Sequence, residues 1–180
     1  ARNAIEGLVL AEEEMSKPQR DYSFFCLPAP VNTIYSEYSP VIICETDSII
    51  AITSSRECST GHVENSMLGG NMSDSYRFLY NGKSAWTSYE PEDNFKVSNT
   101  NFNESPGSFT KDGNKFYFTR CDEKLIVAKN EYYNCIIYVM VKDAAGMWLP
   151  AVRLNENINM PNEWNTQPSI SPDGRILFFT

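Results

Sequence analysis

The sequence predicts a mainly β fold built from one unit that repeats along the chain. The first observation is a short motif: residues 108–119 read SFTKDGNKFYFT and residues 167–180 read QPSISPDGRILFFT. In each copy an Asp-Gly pair separates two extended runs. The pair predicts a tight turn, because Asp can bond its own following backbone and Gly takes positive φ without steric cost. A more divergent copy, VIICETDSIIAIT, occupies residues 41–53. One element that recurs in this way indicates a repeat architecture.

Two further observations support the repeat. The second run of each copy ends in a threonine, and these residues, Thr53, Thr119 and Thr180, are 66 and 61 residues apart, while Trp86 lies 62 residues before Trp148. Two independent landmarks therefore share nearly one period. Aromatic residues make up 13% of the chain, and together with the many Val, Ile and Thr residues they favour strands over helices.

Each unit has the pattern of four strands. After the hairpin at residues 108–119 come a variable loop, a third strand at residues 135–141, a loop that contains Trp148, and a fourth strand at residues 151–154. The preceding unit follows the same order. Four-stranded units in series are typical of β-propellers. The predicted fold class is therefore a partial β-propeller over residues 31–180, with two complete four-stranded blades and the start of a third.

The N-terminal segment predicts an α-helix at residues 1–17. Its apolar residues fall at heptad spacing on one face, and Pro18 follows the expected end: Ala4, Leu8, Ala11, Met15. One amphipathic helix cannot bury its own face, so we expect residues 1–18 to be the terminal helix of a tetratricopeptide-like domain. A helix folded back on the propeller is the alternative. Residues 19–30 are then a linker, and we expect the chain to be a fragment of a longer protein.

Composition argues against several partners. The formal net charge is −8, the pI is about 4.7, and Lys and Arg do not cluster. Binding to nucleic acid or to anionic lipid needs a cationic surface, so neither is expected. No apolar run approaches the ~20 residues that span a bilayer.

The five cysteines include no CxxC pair, and the chain has one histidine, so a zinc site is not expected. Cys44 lies in a strand pattern and is expected to be a small buried hydrophobic residue. Cys121 closes one strand and Cys135 opens the next. Their positions permit a disulfide across the hairpin, but spacing alone leaves the pairing open.

Residues that could carry chemistry have better structural explanations. His62, the only histidine, lies in no nucleophile motif, and a loop position explains it. Glu57, Glu64 and Asp74 fall in the long loop at residues 56–75, but they lack the regular oxygen spacing of a calcium loop. We therefore predict no catalytic, cofactor-binding or metal-binding residues.

The three tryptophans divide into two kinds. Trp86 and Trp148 recur with the period and are expected to be packing anchors between units. Trp164 has no counterpart in another unit and precedes a hairpin, where loops gather. Trp164 is therefore the candidate partner-binding residue, with sugar stacking by the tryptophans as an alternative.

Several of these segments together resemble one family. SPDGRILFFT, IYVMVKD, the following Trp-Leu-Pro and NENINMPNEWNTQPS resemble the WD-like repeats of TolB-type propellers, and are most similar to those of OmpA-family envelope proteins of Bacteroidota. The resemblance covers residues 31–180. In that family tetratricopeptide helices precede the propeller, and an OmpA-like peptidoglycan-binding domain often follows. The chain departs from the pattern at residues 45–47, where Glu-Thr-Asp replaces the Asp-Gly turn.

The resemblance implies a non-enzymatic, protein-binding scaffold of the bacterial cell envelope, periplasmic and associated with the outer membrane. The expected partners are other envelope proteins, with a link to the secretion and gliding machinery, and peptidoglycan through a C-terminal domain that this chain does not contain. Two alternatives stay open. One is the gating propeller of a prolyl-oligopeptidase-like hydrolase, which would need a GxSxG nucleophile motif elsewhere. The other is a glycan-binding module.

Overall fold

The chain forms two four-stranded antiparallel sheets followed by a two-stranded hairpin. The computed structural model describes residues 25–43, 48–61, 70–83, 85–127 and 130–180. The predicted helix at residues 1–17, Cys44, residues 45–47, His62 and Glu64 lie outside the described residues. Within the described ranges, no helix has the length and apolar content that crossing a bilayer requires. The prediction of a mainly β fold is confirmed.

Strand order follows the chain in every sheet. The first sheet comprises β1 (Glu37–Ile42), β2 (Ile49–Ser54), β3 (Asp74–Tyr80) and β4 (Trp86–Ser88). The second sheet comprises β5 (Glu104–Phe109), β6 (Lys115–Val127), β7 (Asn130–Val141) and β8 (Val152–Arg153). The third hairpin comprises β9 (Ser169–Ile170) and β10 (Leu177–Phe178), and a short 3₁₀ helix (Phe95–Ser98) lies between the two sheets in the chain.

The Asp-Gly turns have the predicted conformation. Gly113 and Gly174 have φ of 67° and 71°, and the N–H of each donates to the carbonyl three residues earlier at 2.8 Å. In both turns the Asp carboxylate also accepts the N–H two residues after it. The two hairpins are therefore copies in structure as well as in sequence.

Strand register aligns the first two units residue by residue. Thr53 pairs with Ser75 in the first sheet, and Thr119 pairs with Ile137 in the second. Farther along, Tyr80 pairs with Trp86 and Lys142 pairs with Trp148. Trp86 and Trp148 thus occupy the same place, as the period predicts.

An aromatic core joins the two sheets. It combines residues of β1 and β2 with residues of the second sheet and of the connection between the sheets: Ile43, Ala51, Phe95, Phe109, Phe116, Phe118, Met140, Trp148. The Phe109 and Phe116 rings stack at a centroid distance of 4.3 Å, and Phe95 meets the Trp148 ring at 5.8 Å. Burial of these side chains between the sheets stabilises the pair of units through the hydrophobic effect.

The first strands of successive units lie next to one another. β5 contacts β1, and β9 contacts β5. The Ile170 N–H of β9 also donates to the Ser108 hydroxyl of β5 at 3.2 Å. The first strands therefore form one row.

Two sequence interpretations were wrong. The variable loop expected after Thr119 is a two-stranded extension of β6 and β7, which we call the ribbon, residues 121–127 and 130–134. A bulge between Arg120 and Glu123 offsets its register, and a disulfide joins Cys121 to Cys135 at its base. The long loop of the first unit, expected to extend through residue 75, ends before Asp74, because Asp74 already pairs with Ser54 in β3.

Candidate functional site

Trp164 lies in the connection between β8 and β9, and 61% of its surface is exposed. An exposed indole of this size is notable because its removal from water would be favourable through the hydrophobic effect. The absence of a repeat counterpart singled it out in the sequence, and the structure places it at the surface.

The backbone on both sides of Trp164 is fixed by hydrogen bonds. The buried Asn134 amide donates to the Glu163 carbonyl at 2.9 Å. The Asn165 N–H donates to the Cys135 carbonyl at 3.0 Å, and the Asn165 side chain is itself buried. The indole is therefore exposed on a segment whose backbone is held against the base of the ribbon.

The base of the ribbon adds a second aromatic residue. Tyr133 is partly exposed and packs on Phe102 at a centroid distance of 5.3 Å. Because Tyr133 precedes Asn134 and Trp164 follows Glu163, both aromatic residues flank the same hydrogen-bonded pair. We call the exposed Trp164 indole, with the segment at residues 163–165 that carries it, the Trp164 surface.

A shallow polar groove of about 510 Å³ begins at the ribbon and passes along the same connection. Glu123 and Arg153 form an ion pair at 2.8 Å in its wall, and Asn155 and Asn162 supply amide groups. An exposed ion pair of this kind contributes little to stability. The groove therefore offers hydrogen-bonding groups in the same connection that carries Trp164, two residues after Asn162, and polar groups of this kind suit recognition of a polypeptide or a polar ligand.

A larger cleft of about 680 Å³ lies beside β3 of the first sheet, and Asp74 is in its wall. Asp74 is only 1% exposed; one carboxylate oxygen accepts from the Thr60 N–H at 2.7 Å and from the Thr60 hydroxyl at 2.8 Å. The other oxygen has no hydrogen-bond partner among the residues that the structure describes. Burial raises the pKa of Asp74, and at the equivalent place in the second sheet the chain has Ile136, opposite Arg120.

The periodic tryptophans differ in burial. Trp148 is packed in the core, and its indole N–H donates to Asp93 at 3.2 Å. Arg77 pairs with the same carboxylate through two hydrogen bonds of 2.7 Å. Burial opposes ionisation of Asp93, but the hydrogen bond and the charge of Arg77 lower its pKa below the usual value. Trp86 is half-buried, and its ring packs against Tyr80 in a tilted arrangement at a centroid distance of 5.1 Å.

Sequence reasoning missed this arrangement of Arg77 and Asp93, since neither residue recurs with the period. Glu57 is exposed and accepts a hydrogen bond from Tyr35 at 3.4 Å. In the part of the chain that the structure describes, no three His, Cys, Asp or Glu side chains meet in a way that could hold a metal ion.

Comparison with known proteins adds no identification. No family model, no curated protein and no solved structure matches this chain.

Proposed function

We propose that this chain is part of a non-enzymatic, protein-binding scaffold of the bacterial cell envelope, and that the Trp164 surface contacts the partner. The observation that carries the proposal is the contrast at residues 163–165. The indole is 61% exposed, while the backbone before and after it is tied to the ribbon. A rigid exposed aromatic residue loses little conformational entropy on binding, so it suits an interface centre.

The scaffold in this proposal is a β-propeller. Two sheets with four strands each, in chain order, support it. The row formed by β1, β5 and β9 supports it as well, because the first strands of propeller blades surround a common channel. A propeller presents broad rigid surfaces, which protein partners can use without any catalytic group.

The location in this proposal is the periplasm, in association with the outer membrane. The Cys121–Cys135 disulfide supports an oxidising compartment, since such bonds persist in secreted and periplasmic proteins and are rare in the cytosol. The resemblance of the repeats to OmpA-family envelope proteins adds anchoring to peptidoglycan through a further domain and a link to the secretion and gliding machinery. The tetratricopeptide-like assignment of residues 1–18 belongs to the same proposal.

Substitution of Trp164 tests the scaffold function. Trp164→Ala should reduce the binding free energy for envelope proteins by about 2 kcal/mol or more, the usual cost at an interface centre, and so weaken co-purification with them. The melting temperature should stay nearly unchanged. Leu149→Ala is the matched control, because Leu149 is also a large exposed apolar residue but lies in the β7–β8 connection. The control should change neither property.

Two outcomes would contradict the proposal. If Trp164→Ala unfolds the chain, the indole is a core residue. If His62→Ala abolishes a hydrolytic activity of the purified protein, the chain belongs with the hydrolase-gating propellers instead.

A glycan-binding module is the second candidate, and the groove next to Trp164 favours it. Arg153, Asn155 and Asn162 supply the hydrogen-bonding groups that sugar hydroxyls need, and an indole can stack on a sugar ring. Titration with soluble peptidoglycan fragments distinguishes the two functions. Saturable binding that Trp164→Ala abolishes would favour the glycan, whereas absence of binding favours the protein partner.

A further inference from the structure

Two asparagines connect the units by the same pair of hydrogen bonds. The Asn99 side chain accepts the N–H of Ser75 at 2.9 Å and donates to its carbonyl at 3.0 Å. Asn159 makes the same two bonds to Ile137, at 2.8 and 2.9 Å. Each asparagine lies in the segment that leaves a sheet and pairs with the third strand of that sheet. We call this arrangement the asparagine clamp.

Asn32 occupies the same place in front of the first unit. Its amide donates to the carbonyl five residues earlier, Leu27, at 2.7 Å, as the Asn159 amide donates to Leu154 at 2.9 Å. The neighbouring residues also correspond: the hydroxyl and N–H of Thr33 donate to the Glu37 carboxylate.

The threonine after Asn99 makes the same contacts. The hydroxyl and N–H of Thr100 both donate to the Glu104 carboxylate, at 2.6 and 3.0 Å. Asn32 is therefore the counterpart of Asn99 and Asn159 in front of the first unit.

The clamp of Asn32 has no strand to hold among the described residues. Its side-chain oxygen receives no hydrogen bond from any of them, and the residue is exposed, whereas Asn159 is fully buried. An amide that makes the same bond to a carbonyl five residues earlier as Asn159 does, but is exposed to water, indicates an unfilled binding position.

The first unit is also less covered than the second at two other equivalent places. Ile42 of β1 is 56% exposed, while Phe109, which has the same register position in β5, is 9% exposed. Trp86 is half-buried, while Trp148 is 2% exposed. In the second unit the element that covers these positions is the first sheet, through Ile43, Ala51 and the following Phe95.

We propose that Asn32, Ile42 and Trp86 bind a further four-stranded sheet of the same repeat type within the natural gene product, and that Asn32 clamps its third strand. The inference rests on the propeller part of the proposed function. It adds that the ring is joined at the first unit by a side-chain clamp and not by exchange of a strand, since the first sheet has four strands of its own. A second copy of the chain does not fit the described strands, because Ser75 and Ile137 are already paired with Asn99 and Asn159.

The test compares two proteins, residues 1–180 and the full natural gene product, each with Asn32→Ala or the control Asn99→Ala. Hydrogen exchange of the β2 and β3 amides reports opening of the first sheet. In the full gene product, both variants should raise the opening constant at least about tenfold. Asn99→Ala leaves the Ser75 N–H and carbonyl of β3 unpaired, and Asn32→Ala releases the further sheet that covers the first one. In residues 1–180, Asn99→Ala should raise the opening constant as much as in the full gene product. Asn32→Ala should change the opening constant less than about twofold.

Asn32→Ala removes the hydrogen bond to the Leu27 carbonyl in both proteins. The difference between the two proteins therefore excludes the effect of losing that bond. No effect of Asn32→Ala in the full gene product would overturn the proposal. An equal effect in residues 1–180 would also overturn it, because a segment of these residues would then be the occupant, and protection that grows with protein concentration would assign a second copy. The scaffold function is tested separately. If Trp164→Ala loses partner binding and Asn32→Ala has no effect on exchange, the proposal for Asn32 fails. If Asn32→Ala has its expected effect and Trp164→Ala keeps partner binding, the scaffold proposal fails.

Discussion

Glu104 and Arg120 form an ion pair of 2.9 Å in the interior, and the Glu104 side chain has no exposed surface. Arg120 also donates to the Ser98 carbonyl at 2.7 Å. The pair thereby ties the connection between the sheets to β5 and β6. Removing either partner would leave the other charge buried and unpaired. We therefore expect a single substitution in the pair to destabilise the protein more than the intact pair stabilises it.

The stability of the protein should fall as pH rises through neutrality, and Glu104 should be a cause. Burial raises the pKa of Glu104 from 4.5 to about 7, against the hydrogen bonds of Thr100 and the charge of Arg120. Between these values the folded state binds more protons than the unfolded state. The stabilisation that Glu104 contributes is therefore fully present below about pH 4.5 and is lost as pH rises to about 7. Over this range the free energy of unfolding changes by at most ~1.4 kcal/mol per pH unit because of Glu104.

Urea unfolding at about pH 5 to 8 measures this slope, and Glu104→Gln should flatten it. Slopes are the quantity to compare, since Gln also leaves Arg120 without a counterion. Glu37, the equivalent residue of the first unit, is the control. Burial opposes its ionisation, but the Thr33 and Ser54 hydrogen bonds and Arg56 lower its pKa, so Glu37→Gln should leave the slope above about pH 6 unchanged. An unchanged slope in Glu104→Gln would contradict the assignment.

Gly107→Ala should destabilise the second sheet. A Cβ at this position would lie 2.3 Å from the Phe116 ring and 2.6 Å from the Tyr117 carbonyl. The strand register shifts between Ser105 and Gly107, so the backbone approaches β6 closely there. We expect a loss of about 1–3 kcal/mol, the usual cost of overpacking, in chemical denaturation. Ser105→Ala, on the same strand, serves as the control, and equal stability of both variants would show that the bulge can relax.

Gly174→Val should cost about 1 kcal/mol or more, because the φ of 71° suits glycine and strains a β-branched residue. Arg175→Val, one residue farther along the turn, should cost less. The two melting temperatures compare these costs directly. A Gly174 variant as stable as the Arg175 variant would be evidence against the turn as described.

Loss of the Cys121–Cys135 disulfide should destabilise the protein by about 3 kcal/mol, the scale expected for its separation of 14 residues. The double variant Cys121→Ser, Cys135→Ser should show this loss without reductant, and wild type should show it with reductant. Cys58→Ser is the control, since Cys58 is a free cysteine. Equal melting temperatures with and without reductant would mean that the bond does not form in solution.

The sequence predicted the parts of the fold that depend on local chemistry. Gly113 and Gly174 identified their turns because few residues tolerate positive φ. Trp86 and Trp148 were placed correctly because a periodic landmark needs no knowledge of long-range contacts. Trp164 was found as the aromatic residue outside the period, and its role as a partner contact stays a prediction.

Other features depend on pairings that no local pattern reveals. The ribbon was missed because its strands are held in register by contacts across the hairpin, including Cys121–Cys135. The asparagine clamp was missed for a different reason. Asparagines are common in loops, and the correspondence of Asn99 and Asn159 becomes visible only when Ser75 and Ile137 are aligned through their strand partners.

The asparagine clamp has a consequence for how such a chain can change during evolution. Each of the two described sheets is followed by the asparagine that bonds its third strand and so holds the connection to the next unit in place. A gene duplication that begins and ends at a clamp asparagine would therefore copy a complete junction along with the sheet. Insertion or loss of whole units would preserve every remaining junction, whereas a breakpoint between β3 and the asparagine would separate two groups that depend on each other. We expect relatives of this chain to differ in length by whole units, with breakpoints in the connections after Asn99 and Asn159.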